Sequence, residues 1–164
     1  MESLKELYRI GTGPSSSHTM GPERAASRFK ERNLRADGFI ATLYGSLAKT
    51  GPGHLTDAIL EKTFAPRPVE IRFDFSDRPL PHPNTMELTA LQDGKTVDFE
   101  RVISVGGGKI VVDGDTPDTP ADVYPLSTFA EIKAYCAEHR MRLWQYVEQC
   151  EGDSIWLYLG EVWK

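Results

Sequence analysis

The run Val69-Glu70-Ile71-Arg72-Phe73-Asp74-Phe75 alternates apolar and charged residues without a break, the period of a half-buried strand. Downstream, Met86 to Gln92 and Thr96 to Val105 flank Asp93-Gly94, a two-residue hairpin signal. Gly106-Gly107-Gly108 then interrupts the pattern before a last strand, Lys109 to Val112. Upstream, Phe39 to Tyr44 reads as a strand entering a Gly45-Ser46 turn. Helix signals lie around these strands. Thr19 or a neighbour can cap a helix with Pro22 in its first turn, running to about Asn33 with Ala25, Ala26 and Phe29 inward. Leu55, Ile59 and Leu60 mark a short helix after Gly53, which Pro66 and Pro68 end. The fold class expected is α+β, a mixed or mostly antiparallel sheet with helices packed on one face.

After Leu126 the character becomes helical, with Phe129, Ile132 and Cys136, then Leu143, Tyr146, Val147 and Cys150, then Ile155, Trp156, Leu159, Val162 and Trp163 at helical spacings. Residues 1–125 are expected to form one domain and 126–164 a helical segment closing it. The wide apolar face around Trp156 and Trp163 suggests further protein beyond Lys164, fused or separate; the plainer alternative is a helix docked on its own sheet. An acidic, proline-bearing loop from Asp113 to Pro125 is long enough to be mobile. Cys136 and Cys150 stand 14 positions apart, about four turns if one helix carried both, so a disulfide would need a break between them. Packing as small hydrophobes is the plain reading of both thiols.

With 164 residues, 40% hydrophobic and 26% charged, the chain can bury one respectable core. A net charge of -5 with scattered Lys and Arg argues against a nucleic-acid surface. No run approaches the roughly 20 apolar residues a membrane helix needs, and the N-terminus lacks a secretory pattern; a cytoplasmic location is the expectation.

Three polar segments stand apart from the core-forming pattern. In Gly11-Thr-Gly-Pro-Ser-Ser-Ser-His-Thr-Met-Gly-Pro22, hydroxyls and an imidazole crowd the start of a helix, where free N–H groups and the macrodipole attract a carboxylate. A serine-rich loop alone is an ordinary cap; the flanking glycines and His18 favour a ligand. In Tyr44-Gly-Ser-Leu-Ala-Lys-Thr-Gly-Pro-Gly-His54-Leu-Thr-Asp57, a histidine again meets a helix entrance. There the charged imidazole is disfavoured, which suits a general base, while Asp57 can cap the helix. In Pro81-His82-Pro83-Asn84, the prolines hold His82 extended, and Asn84 offers both a donor and an acceptor. Solvated loop histidines and a plain proline turn are the alternatives.

Together these segments resemble the iron–sulfur L-serine dehydratases (L-serine ammonia-lyases), in their N-terminal or β-chain domain. The runs IGTGPSSSHTMGP, LYGSLAKTGPGHLTD, HPNTM and ISVGGGKIVVD carry the likeness, in the family's order, up to about Asp113. Thr85 stands where the family usually has glycine, Lys49 replaces a usually uncharged residue, and the stretch between the Asp57 helix and His82 is shorter than in other members.

The resemblance implies conversion of L-serine to pyruvate and ammonia through an aminoacrylate. It implies a [4Fe-4S] cluster acting as Lewis acid on the serine hydroxyl, ligated by cysteines of an α domain or α subunit outside this chain. Ser15, Ser16, Ser17, His18 and Thr19 would then hold the substrate. His54 or His82 would take the Cα proton, with Asn84 and Asp57 orienting substrate or imidazole. A homo-oligomer is compatible with the resemblance; nucleic acid and membrane are not expected partners. The alternative class is an allosteric module binding serine or another small anion, since the family domain is similar to the effector-binding domain of some phosphoglycerate dehydrogenases. A pyridoxal-phosphate lyase is disfavoured because no lysine has a Schiff-base context.

Overall fold

The computed structural model describes residues 1–114 and 121–164. The chain divides into two compact units, Gly11–Pro117 and Met1–Ile10 together with Asp118–Lys164. The middle of the acidic loop expected at 113–125 lies outside the described residues.

In the Gly11–Pro117 unit, helix α2 (Met20–Arg32; α1 belongs to the other unit) precedes strand β1 (Gly38–Tyr44). Next come α3 (Gly45–Thr50), a 3-10 turn (Pro52–His54), α4 (Thr56–Phe64) and β2 (Val69–Asp74). The unit continues with β3 (Thr85–Gln92), β4 (Lys95–Gly106) and β5 (Lys109–Val112). The sheet is mixed, in the order β2-β1-β3-β4-β5. Only β1 and β2 are parallel, as the helical crossover between them requires; the other pairs are antiparallel. The alternating run at 69–75 thus lies on an edge strand. Asp93 and Gly94 both take positive φ, 51° and 71°, as a two-residue hairpin turn demands. The glycine string makes a second such hairpin: Gly106 pairs with Lys109 across Gly107 (φ 56°) and Gly108 (φ 70°).

Residues of one sheet parity, Phe39, Ala41, Leu43, Met86, Leu88, Ala90 and Val102, are buried against Ala25, Ala26, Phe29, Leu47, Leu60 and Phe64 from the helices. The Phe39 ring stacks on Phe64 at 4.3 Å and meets Phe29 edge-on at 6.1 Å. Glu100 shares this inward parity. Its Oε2 is paired with Arg32 Nη1 at 2.5 Å, which makes its burial tolerable.

Two expectations are corrected here. The turn expected at Gly45-Ser46 is the first turn of α3, entered directly from β1. Thr19 sits at the N-cap of α2 but makes no side-chain capping bond there.

The second unit holds α1 (Leu4–Leu7), α5 (Phe129–Glu138), α6 (Leu143–Glu151) and α7 (Ser154–Val162). Glu151 ties the chain start to α6: its carboxylate accepts from Ser3 Oγ and the Leu4 N–H, each at 2.7 Å, and from the Tyr124 hydroxyl at 2.8 Å. Burial and this carboxylate push the Tyr124 phenol well above its ordinary range. Cys136 and Cys150 do not share one helix. Arg140, at φ 53°, breaks the run between α5 and α6, and both thiols are free and pack with Tyr124, Ile132 and Tyr146. On α7, Ile155 is buried, whereas Trp156 and Leu157 are exposed, as is Trp163 just after the helix, at 92%. Among the described residues no helix is long and apolar enough to cross a membrane.

Candidate active site

The antiparallel register puts the C-terminal end of β1 beside the N-terminal end of β3, and that beside the C-terminal end of β4 (Leu43↔Met86, Thr85↔Ile103). The segments 44–54, 81–84 and 104–108 therefore open at one end of the sheet. The serine loop joins them through two contacts. The Ser16 hydroxyl accepts the Gly107 N–H at 3.2 Å, and Gly21 lies so close to Ser104 that a Cβ there would stand 2.0 Å from its Oγ. Gly45 is needed for a similar reason: its φ is +51°, and a Cβ would come within 2.5 Å of the Pro83 carbonyl. That carbonyl accepts the Ser46 N–H at 2.7 Å, which joins the His54 segment to the His82 segment.

Ser15 to Thr19 form a helical turn leading into α2, since the Ser15 carbonyl accepts from the N–H groups of both His18 (2.9 Å) and Thr19 (2.8 Å). Thr19 is fully buried, and its hydroxyl is bound to the carbonyls of Ser15 and Thr12, so it shapes the loop. His18 is also buried, at 7% exposure, with four hydroxyls around its ring. Nδ1 faces Ser17 Oγ at 3.0 Å and Ser15 Oγ at 3.2 Å; Nε2 faces Thr50 Oγ1 at 3.0 Å and Ser46 Oγ at 3.1 Å. The His54 ring lies 4.7 Å away, centroid to centroid. Burial lowers the pKa of His18, the nearby His54 lowers it further, and a hydrogen bond to the Ser46 backbone opposes both. His18 is thus held neutral near pH 7.

His54 and His82 differ in what faces Nδ1. The Thr50 carbonyl lies 3.0 Å from His54 Nδ1 and can only accept, so Nδ1 carries the proton and neutral His54 keeps its lone pair on Nε2. The Asn84 backbone N–H, 3.0 Å from His82 Nδ1, can only donate, so neutral His82 carries its proton on Nε2. The Asn84 side-chain amide donates to the Ser104 carbonyl at 3.3 Å, which leaves its Oδ1 as an acceptor. Asp57 lies in the first turn of α4 and accepts the Ala58 N–H at 2.9 Å. Its position is that of a helix-start carboxylate three residues after His54.

Ser46 and Thr50, absent from the sequence-derived candidates, contact His18 directly. They stand four residues apart in the quoted LYGSLAKTGPGHLTD run, the spacing of one helix face. That spacing was the available signal, hidden because Gly45-Ser46 reads as a turn.

The fold and this geometry define a class: an α+β domain whose sheet end gathers hydroxyls, imidazoles and an amide. The model of the family described as serine dehydratase beta chain matches residues 3–63. The L-serine dehydratase 2 of Escherichia coli (strain K12) is 31% identical over 214 aligned positions, covering 100% of this chain and 47% of the relative. The L-serine dehydratase of Mycobacterium bovis is 34% identical over 180 positions, covering 82% of this chain and 39% of the relative. The L-serine dehydratase of Haemophilus influenzae is 26% identical, covering 100% and 47%. The resemblance read from the motifs is borne out: the chain is kin to the L-serine dehydratase β chain. It spans about half the length of the curated relatives it matches. The 214 aligned positions also exceed its 164 residues, so the relatives carry aligned segments that this chain lacks.

Proposed function

We propose that this chain is the β portion of an L-serine ammonia-lyase, binding L-serine and supplying the base that removes its Cα proton. The observation that carries the reading is the bond from His54 Nδ1 to the Thr50 carbonyl, which leaves Nε2 as a proton acceptor beside the serine loop. The Ser16 hydroxyl already accepts from Gly107, so its own hydrogen is available to a substrate carboxylate. The Asn84 Oδ1 is an acceptor for the substrate ammonium. His82 presents Nε2–H, a donor for a substrate oxygen. Asp57 is the charge closest in sequence to stabilise His54 once it is protonated.

The [4Fe-4S] cluster of the family does not fit the donors described here. Among the described residues no three His, Cys, Asp or Glu are grouped to hold a metal, and Cys136 and Cys150 are packed against an aromatic cluster. We assign the cluster to the cysteines of an α portion. The exposed Trp156 and Leu157 of α7, with Trp163 just after it, are the surface proposed to meet that portion.

The test is anaerobic reconstitution with an α portion, following pyruvate release from L-serine. Turnover by the native pair is expected, and no turnover with an intact cluster would sink the lyase reading. In the same assay His54→Ala should lose about 10²–10⁴ in kcat, the usual contribution of a positioned base. Near-native turnover by that variant would show that the base lies elsewhere.

A further inference from the structure

Thr50 is bonded to both adjacent histidines, through different atoms. Its hydroxyl lies 3.0 Å from His18 Nε2 and its carbonyl 3.0 Å from His54 Nδ1. A threonine hydroxyl has one hydrogen. Here it is directed to the Ser46 carbonyl at 2.8 Å, one helical turn back on α3. The Thr50 oxygen then accepts from His18, which puts the proton of neutral His18 on Nε2, where Ser46 Oγ at 3.1 Å stands as a second partner. His18 Nδ1 is left to accept a hydroxyl hydrogen from Ser17 or Ser15, at 3.0 and 3.2 Å.

We infer that Thr50 is a positioning residue that sets the tautomers of both imidazoles, His18 as Nε2–H through its hydroxyl and His54 as Nδ1–H through its carbonyl. The reaction assigned to His54 rests on the proposed function; the clamp itself rests only on these contacts. The arrangement has two consequences. His18 cannot serve as a base toward substrate, because its remaining lone pair is occupied by the serine loop. Its role is to hold Ser15 and Ser17 in place. The rings, 4.7 Å apart, are also fixed so that their opposite nitrogens are protonated, with the lone pair of His54 free of Thr50.

The clamp is read directly by two-bond proton–nitrogen NMR of the imidazoles in the full 164-residue chain, at a pH above 7. The native chain should show His18 as Nε2–H and His54 as Nδ1–H. Thr50→Val removes the hydroxyl and keeps the carbonyl, so His18 should become a mixture of tautomers while His54 stays Nδ1–H. Thr50→Ser should restore the native pattern. A native His18 protonated on Nδ1, or a Thr50→Val spectrum identical to the native one, would overturn the clamp. Should Thr50→Val fail to fold, the native spectrum and the Thr50→Ser chain still decide. In the reconstituted enzyme Thr50→Val leaves the His54 bond in place and loosens Ser15 and Ser17 through His18, so it should lose affinity for L-serine, seen as a raised KM with kcat little changed. Thr50→Ser should recover the loss. A native pair without turnover but with the expected tautomers would refute the lyase and leave the clamp standing; active enzyme with the wrong tautomers would do the reverse.

Discussion

The loop carrying His54 and the loop carrying His82 begin at the same sheet end and are joined by the Ser46–Pro83 hydrogen bond. They nevertheless hold their imidazoles in opposite tautomers. One backbone carbonyl, of Thr50, makes His54 an acceptor at Nε2; one backbone N–H, of Asn84, makes His82 a donor there. Residue identity does not decide which ring nitrogen donates and which accepts. The polarity of the nearest peptide group does, because a ring nitrogen must complement what it faces.

The sharpest way to break this contrast is to compare His54→Gln with His82→Gln in the reconstituted enzyme. The first should cost about 10²–10⁴ in kcat, the full effect of a lost base. The second should cost clearly less, since a glutamine amide can still donate to a substrate oxygen. Equal losses, or a larger one for His82, would reverse the assignment.

The next effect concerns the core rather than the loops. Phe39→Ala, near the start of β1 and at the other end of the sheet, empties the space between Phe29 and Phe64 and should destabilise the chain by about 3–5 kcal/mol in urea unfolding. A loss under 1 kcal/mol would mean that the Phe29–Phe39–Phe64 stack is not the support described. Smaller changes act at the loops themselves. Gly45→Ala forces a side chain into left-handed φ against the Pro83 carbonyl, and should cost about 2 kcal/mol or more. Gly21→Ala collides with Ser104 and should cost about 1–3 kcal/mol, with most of that recovered in the double variant that adds Ser104→Gly. Additive losses in that cycle would show that the two positions do not touch.

The smallest effect is a pH dependence of stability that comes from His18. Its pKa is depressed in the folded chain, so on acidification the unfolded chain takes up this proton first. Stability should be complete with respect to His18 above about pH 6.5 and decline as the pH falls through the lowered folded value. His18→Asn should flatten that part of the profile. An unchanged slope in the variant would place the titration elsewhere.

Much of this was legible along the chain. Strict alternation located β2, Asp93-Gly94 located the β3–β4 hairpin, and the three polar segments located the loops at the sheet end. The legibility ended where a residue's meaning depends on a distant partner. Gly21 reads as helix-start punctuation, yet its lack of a side chain matters because Ser104, more than eighty positions away, presses on it. Ser46 reads as a turn residue, and Thr50 carries no signal of its own, until α3 brings both against His18. Met1–Ile10 carries no mark of its association with α5 to α7, which rests on Glu151 accepting from Ser3, Leu4 and Tyr124.

The sequence by itself determined which stretches become the five strands, α2, α4 and the helical region after Leu126, and which residue types gather in the loops, because periodicity and turn chemistry are local. Only the tertiary structure decided that β1 and β2 run parallel at the sheet edge. It also decided that α5 and α6 are separate helices, and on which nitrogen each histidine holds its proton. Those outcomes depend on which peptide groups meet across the fold, and a hydrogen bond's direction is set by the pair rather than by either member alone.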